Sequence, residues 1–212
     1  MPSEPTIRFH EGDLPDLSSY SNPVDGCVAI DTETMGLNPH RDRLCVVQIS
    51  PGDGSADVVR IAPGQREAPN IAALVRDPAV TKLYHFGRFD IAVVDRALGA
   101  LAGPVWCTKI ASRLVRTYTD RHGLKELCRE LLGIDISKQQ QSSDWGAPTL
   151  SEAQLSYAAS DVLYLHAIRR ALIERLEREH RMGLAEACFA FLPVRARLDL
   201  AGWEETDIFA HS

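Results

Sequence analysis

The sequence predicts a single domain of the α/β class, in which a mixed central β-sheet is flanked by helices. Short apolar runs bounded by turn residues fill the first half of the chain, and such runs are typical of buried strands. Apolar residues at helical spacing dominate the second half. The chain has 212 residues, of which 45% are hydrophobic and 25% are charged, as in ordinary soluble domains. We expect one domain over residues 1–212, with a core at about 25–180 and a helical extension at about 184–212.

The predicted strands begin near the N-terminus. Apolar runs place them at residues 6–10, 27–30, 44–49, 56–61, 82–86 and 105–107. Short connections that contain turn residues join the second, third and fourth runs. These three strands are therefore expected to form a meander.

The predicted helices alternate with the last strands and then follow them. Apolar spacing places them at residues 70–76, 88–98, 109–116, 124–132, 151–176 and 184–200. Asn70 is expected to cap the first helix, Gly99 to end the second and Pro193 to break the last. Ser151 and Gln154 have the spacing of a capping box, which fixes where the fifth helix begins.

Charge, cysteine content and hydropathy exclude several classes of protein. A formal net charge of −6 argues against a protein that holds long duplexes on a broad basic surface. The five cysteines are odd in number and lack a C-x-x-C pair, which suggests neither a disulfide framework nor a zinc site. No apolar run approaches the ~18 residues of a membrane helix, and the N-terminus does not resemble a secretory signal. We therefore expect a cytoplasmic protein without a membrane partner.

Four acidic residues stand at the ends of predicted elements that a mixed sheet can bring together. Asp31 and Glu33 follow the strand at 27–30, and residues two apart on a strand project to the same side. Asp90 lies in the first turn of the second helix, and Asp161 lies on the helix with the capping box. Like charges held this close are costly unless a cation or a proton compensates them. The alternative is that Asp31 and Glu33 are solvated acids in a polar turn.

Convergent carboxylates without a histidine or cysteine cluster suit hard cations with oxygen ligands, namely Mg²⁺ or Mn²⁺. Two such ions about 4 Å apart can stabilise the attacking and leaving oxygens of an in-line phosphoryl displacement. Tyr157 lies one helical turn before Asp161, so it could orient the attacking water or accept its proton. The predicted chemistry is hydrolysis of a phosphodiester with two divalent metal ions.

The order of these residues resembles a known enzyme family. Asp31-Thr32-Glu33, the segment from His85 to Asp90 and Tyr157-x-x-x-Asp161 are similar to the three exonuclease motifs of the DEDD superfamily, in its tyrosine-containing DEDDy branch. Ser143-Asp144-Trp145 ahead of the tyrosine motif resembles ribonuclease D. The resemblance spans roughly residues 25–180, and its ordered spacing is more specific than any single motif. We expect no counterpart of the C-terminal helical RNA-binding domains of ribonuclease D.

The short loop, the segment 107–112 and the tail at residues 203–212 resemble in particular the single-domain nano-RNase C group. This resemblance implies a ribonuclease H-like fold, which is that of the DEDD exonucleases, and 3′-to-5′ exoribonuclease activity. It also implies a preference for dinucleotides, release of nucleoside 5′-monophosphates and assembly as a ring-like octamer. The apolar tail at residues 203–212 would then dock on a neighbouring subunit. Two divalent metal ions would be held by the four acids, Asp31, Glu33, Asp90 and Asp161, with Tyr157 beside them.

The resemblance further implies contacts to the substrate. Thr34 and Leu37 occupy positions that contact the 3′ nucleotide in related exonucleases, where Leu37 would wedge between the last two bases. His85 would contact a phosphate or a sugar, and Lys138 would bind a phosphate. The residues alone leave alternatives open. Leu37 could be a buried anchor of its loop, His85 a structural histidine, and Lys138 an exposed lysine without a role.

Two other functions stay open at this point. The same metal chemistry does not read the sugar, so an exonuclease acting on longer RNA or on DNA, including duplex ends, is a rival within the enzyme class. A catalytically silent nucleic-acid-binding protein on the same fold is the rival outside it. The presence of all four acids and the tyrosine argues against that second rival.

Overall fold

The computed structural model describes residues 4–137 and 139–211. Within these residues the chain forms one sheet of six strands, in the spatial order β1-β4-β3-β2-β5-β6. The strands are β1 (Thr6–Glu11), β2 (Cys27–Thr34), β3 (Leu44–Ser50), β4 (Ser55–Arg60), β5 (Thr81–Tyr84) and β6 (Val105–Cys107). Strand β3 runs antiparallel to both of its neighbours, and the other pairs are parallel. The predicted α/β class, the mixed sheet and the meander of β2, β3 and β4 are thus confirmed.

Strand β3 is buried along its whole length, so helices cover the sheet on both faces. The helices are α1 (Pro69–Arg76), α2 (Arg88–Leu98), α3 (Thr108–Val115), α4 (Leu124–Leu127), α5 (Glu152–Leu163), α6 (Leu165–Arg178) and α7 (Met182–Leu198). A π-helical turn, Cys128–Leu132, continues α4, and another, Asp199–Trp203, follows α7. Helix α5 packs on β2, β3 and β4, whereas α2 packs on α7. In the described part of the chain, no helix is long and apolar enough to cross a bilayer.

Strand β2 is longer than the apolar run predicts. Asp31 and Glu33 lie within the strand rather than after it, because β3 continues to pair with β2 beyond Ile30. Asp31 stands opposite Gln48 and Glu33 opposite Val46, and the register shifts only between Glu33 and Thr34. Both acids therefore belong to the sheet itself, and this fixes the direction of their side chains more firmly than a turn would.

Helix α1 is capped from a distant segment, and the prediction that Asn70 caps it is wrong. Ala68 occupies the N-cap position. The Asp13 carboxylate accepts hydrogen bonds from the backbone N–H groups of Asn70, at 2.8 Å, and Ile71, at 3.0 Å. The Asn70 side chain instead donates to the carbonyl oxygen of Leu14, at 2.8 Å. A carboxylate from another segment thus satisfies the donors that a local cap would have satisfied.

Two predicted helix boundaries also differ. The helix predicted from Ser151 to Leu176 is two helices, which meet at Tyr164, although its buried apolar stripe continues through both. Conversely, α7 runs through Pro193 without a break. Phe189 and Ala196, on either side of this proline, are both buried, and this packing on the core outweighs the one hydrogen bond that proline removes. The capping box at Ser151 and Gln154 is confirmed, as is the end of α2 at Gly99.

Candidate active site

A cleft of about 410 Å³ opens where β2 and β5 end, α2 begins and α5 crosses the sheet. The described residues that the sequence predicts for the site all line this cleft: Asp31, Glu33, Thr34, Leu37, His85, Asp90, Tyr157 and Asp161. Lys138, the remaining predicted contact, lies outside the described residues. The fold therefore brings together side chains that are as much as 130 positions apart in the sequence, from Asp31 to Asp161.

Three carboxylates form a compact group in the cleft. One oxygen from each of Asp31, Glu33 and Asp161 lies within 4.8 Å of the others. Asp90 lines the same cleft without belonging to this group, and its buried carboxylate accepts a hydrogen bond from the Thr32 hydroxyl at 2.6 Å. The alternative that Asp31 and Glu33 are solvated acids in a polar turn is therefore excluded, since they converge with an acid from another element.

Burial and mutual repulsion change the acidity of these groups. Burial, followed by the charges of Asp90, Asp161 and Glu33, raises the pKa of Asp31 well above its usual value. Burial and the charges of Asp161 and Asp90 raise the pKa of Glu33 to about 9. Burial raises the pKa of Asp90 to about 7, even though the hydrogen bond from Thr32 opposes the shift. At neutral pH, a bound cation would therefore favour full ionisation of the group.

The donor set fits a divalent cation of the Mg²⁺ type. Its three grouped ligands are carboxylate oxygens, and hard cations prefer oxygen ligands. Repulsion among these acids, which contributes to the raised pKa values of Asp31 and Glu33, would be relieved by a bound cation. Both observations match a site built for a cation.

Tyr157 stands beside the carboxylates on α5. Burial, with the charges of Asp161 and Glu33, raises the pKa of its hydroxyl. Its ring packs near the buried Trp145, with ring centroids 6.0 Å apart. The phenol therefore stays protonated at neutral pH and is held in a fixed position.

The loop after β2 presents Leu37 to the solvent. Leu37 is 86% exposed at the edge of the cleft, so it is not a buried loop anchor. A hydrogen bond within the loop stabilises it, because the Asp42 carboxylate accepts from the Asn38 N–H at 3.0 Å. A side chain at Gly36 would overlap that carboxylate. Thr34 also supports the turn, since its hydroxyl donates to the carbonyl oxygen of Gly36.

His85 is oriented by a chain of hydrogen bonds. The Thr108 hydroxyl donates to the carbonyl oxygen of Tyr84, at 3.2 Å. The His85 Nδ1, 2.8 Å from the same hydroxyl oxygen, must therefore be the donor in that contact. This arrangement fixes the ring at the wall of the cleft.

A family model described as 3′-5′ exonuclease matches residues 13–177. The chain belongs to this 3′-5′ exonuclease family. Two relatives are ribonuclease D of Gluconacetobacter diazotrophicus, 37% identical over 165 residues, and ribonuclease D of Granulibacter bethesdensis, 36% identical over 180 residues. The matches cover 78% and 84% of this chain but only 42% and 45% of those proteins, so the chain spans less than half their length.

Three solved structures are also similar to this chain, two of them over their whole length. NrnC of Brucella melitensis with bound Mg²⁺ is 64% identical, with a TM-score of 0.93 over 98% of this chain and 100% of that one. The same protein bound to pGG gives 64% identity and a TM-score of 0.95 over 99% and 100% of the two chains. Ribonuclease D of Escherichia coli is 26% identical, with a TM-score of 0.71 over 81% and 45%. The resemblance to the DEDD exonucleases inferred from the motifs is thus confirmed.

The cleft also contains a residue, Phe86, that the motifs do not single out. The predicted strand at 82–86 ends at Tyr84, so Phe86 lies in the turn before α2, with φ at +67°. Gly87 permits this turn, because a Cβ there would overlap the Tyr84 side chain. Phe86 is 44% exposed, and the Lys109 ammonium lies 4.3 Å from its ring centroid. Its position beside the His85 motif is the one sequence signal that could have identified it.

Proposed function

We propose that this protein is a metal-dependent 3′-to-5′ exoribonuclease that hydrolyses short RNA, preferably dinucleotides, to nucleoside 5′-monophosphates. The observation that carries the proposal is the convergence of Asp31, Glu33 and Asp161 within 4.8 Å, in a cleft that also contains Asp90 and Tyr157. The relatives support it, since Brucella melitensis NrnC has been seen with bound Mg²⁺ and bound to pGG.

The four acids would hold two divalent cations, Mg²⁺ or Mn²⁺. Asp31, Glu33 and Asp161 form the compact group, and Asp90 stands in the same cleft with its carboxylate oriented by Thr32. When bound, such ions stabilise the attacking and leaving oxygens of an in-line displacement at phosphorus. Asp31 and Glu33 keep their direction because they are mounted on β2.

The other cleft residues position the reactants. Tyr157 orients the attacking water through its hydroxyl, which shares the cleft with Asp161. Thr34 and Leu37 line the cleft and would contact the 3′ nucleotide, and the exposed Leu37 side chain would separate the last two bases. His85 would contact a phosphate or a sugar. A phosphate contact by Lys138 belongs to the same proposal.

Cleft size and charge favour a short substrate. A volume of about 410 Å³ is in the range of small-ligand sites. Lys109 and Lys125 line the cleft, whereas the chain as a whole has a net charge of −6. Binding of long RNA through its phosphates needs many more basic contacts. The exonuclease therefore suits a substrate with one or two phosphates.

A time course on labelled RNAs from two nucleotides upward tests the proposal directly. We expect Mg²⁺ or Mn²⁺ to be required, and the dinucleotide to be cleaved fastest. Matched DNA dinucleotides and DNA duplex ends form the competing arm. Equal rates at all lengths would contradict the dinucleotide preference, and faster cleavage of DNA would favour the DNA exonuclease. Tight nucleotide binding without turnover would identify a catalytically silent binding protein.

Phe86 gives a prediction for substrate binding. Stacking of a base on an aromatic side chain contributes about 1–3 kcal/mol, so Phe86→Ala should raise the KM for a dinucleotide about tenfold or more and change kcat little. Phe86→Tyr should retain the parent KM. Steady-state kinetics of both variants measure this. Phe9→Ala removes an equally exposed ring outside the cleft and serves as the control; a parent-like KM in Phe86→Ala would rule out stacking.

The assembly is also part of the proposal. Trp203, Ile208 and Phe209 are exposed at the C-terminal end, where Phe209 contacts Phe191 with ring centroids 5.6 Å apart. A homo-oligomer, with a ring-like octamer as the expected form, would cover these apolar side chains. A cytoplasmic location belongs to the same proposal, and the five free cysteines are in the state usual for that reducing compartment.

A further inference from the structure

Gln48, on strand β3, is a buried polar residue in an apolar environment. It is 0% exposed, and its neighbours along the strand are Val46, Val47 and Ile49. Neither its amide nitrogen nor its amide oxygen has a hydrogen-bond partner among the described residues. Burial of an amide without partners opposes folding, so a Gln at this position calls for a functional explanation.

The strand register places Gln48 next to the carboxylate group. Gln48 stands directly opposite Asp31 in the antiparallel pair of β2 and β3. Residues directly opposite each other project to the same face of a sheet, with their Cβ atoms about 4.5–5.5 Å apart. Asp31 meets Asp161 of α5 on this face, and α5 packs over both strands. The Gln48 amide is therefore enclosed between the sheet and α5, beside Asp31.

We propose that Gln48 is a positioning residue for Asp31. Its side-chain amide donates a hydrogen bond to the Asp31 carboxylate, directly or through one buried water, when that carboxylate binds a cation. The carboxylate then keeps the orientation that the cation requires, because an uncharged N–H donor holds one oxygen and leaves the other for the metal. This inference rests on the proposed metal-dependent function.

The other side of the cleft provides a precedent within the same molecule. Asp90 already has such a donor, since the Thr32 hydroxyl lies 2.6 Å from its carboxylate. Thr32 is adjacent to Asp31 on β2, and successive strand residues point to opposite faces. Gln48 lies on the α5 face opposite Asp31, where a donor can hold the Asp31 carboxylate as Thr32 holds that of Asp90. Partners of this kind orient metal ligands and tune their affinity.

The test replaces Gln48 with Met, which has a similar length but no amide. Isothermal titration of the full chain with Mg²⁺ alone, without RNA, should give a dissociation constant about 10- to 100-fold above that of the parent. The unfolding temperature in EDTA should be equal to or above that of the parent, because an unpartnered amide is removed. Ile49→Met introduces the same side chain at the next buried position, on the opposite face, and should leave Mg²⁺ affinity unchanged.

An unchanged Mg²⁺ dissociation constant in a folded Gln48→Met protein would overturn the inference while leaving the proposed function intact. If the parent itself binds no Mg²⁺, the proposed function fails as well. If the variant does not fold, the inference can still be tested on the parent by NMR, from the side-chain amide resonances of Gln48. These should shift on addition of Mg²⁺. The resonances of Gln154, whose side-chain amide donates hydrogen bonds to Ser143 and Asp144, should not shift. Unshifted Gln48 resonances in the Mg²⁺-bound protein would also overturn it.

Discussion

Asp31→Asn is expected to abolish RNA hydrolysis and, without divalent cations, to stabilise the fold. The variant loses a ligand of the compact carboxylate group, so the rate should fall by at least about 10³-fold, as when a main electrostatic contributor to a transition state is removed. The same change removes a half-buried carboxyl group that lies beside three others and whose ionisation opposes folding. The free energy of unfolding in EDTA should therefore rise by about 1 kcal/mol, the gain expected when a strained active site is relieved.

The gain in stability should depend on pH. A carboxyl group whose pKa is raised by folding stabilises the folded state below its ordinary pKa and loses this contribution as the pH rises through the folded-state pKa. For Glu33 this window runs from its ordinary value of 4.5 to about 9. The chelated parent should lose stability across this window, and Asp31→Asn, which removes a carboxyl group whose own pKa is raised, should lose less.

Thermal unfolding in EDTA at several pH values, together with hydrolysis rates in Mg²⁺, measures both effects. Glu186→Gln removes one negative charge from an exposed position on α7 and should change neither. An Asp31→Asn protein that hydrolyses RNA at the parent rate would contradict the assignment of Asp31 as a metal ligand. An Asp31→Asn protein that is no more stable than the parent in EDTA would contradict the explanation by repulsion among the carboxylates.

Tyr157→Phe is expected to lower kcat about 10²- to 10⁴-fold, as when a group positioned at the reacting proton is removed. The ring remains, so its packing near Trp145 should be preserved. The hydroxyl that places the water is lost, whereas the three grouped carboxylates are untouched. Mg²⁺ affinity and the KM for a dinucleotide should therefore stay close to the parent values.

Single-turnover kinetics and Mg²⁺ titration separate these effects. Tyr164→Phe, which removes a hydroxyl at the junction of α5 and α6 outside the cleft, should behave as the parent. Near-parent turnover in Tyr157→Phe would refute the water-orienting role. A large loss of Mg²⁺ affinity would instead assign the hydroxyl to support of Asp161.

The parts of the site that the sequence predicts are those set by local periodicity. Asp31 and Glu33 are two apart on a strand, so their shared direction follows from the pleat. The capping box at Ser151 fixes the start of α5, and with it the common face of Tyr157 and Asp161. The pair Asp31 and Glu33 meets the pair Tyr157 and Asp161 if α5 packs across the sheet. The alternation of apolar runs predicts such an arrangement.

Features that depend on the tertiary fold escape such reasoning. The cap of α1 comes from Asp13, 57 positions before Asn70, and no local pattern signals it. The exposure of Phe86 depends on a left-handed backbone conformation. Gln48 reads as a polar interruption of an apolar strand until the register places it opposite Asp31. Each case depends on which segments meet in space, and that information is spread over the whole chain.

The position of Asp31 and Glu33 on a central strand has a consequence for the protein in the cell. On a loop, two repelling acids could move apart at little cost, but β2 is held between β3 and β5 and offers no such relief. The repulsion therefore opposes folding of the whole domain, and a cation that binds only the folded state shifts that equilibrium by mass action. Unfolded protein is removed by proteases. The supply of divalent metal should thus set how much of the protein accumulates, as well as how fast each molecule works.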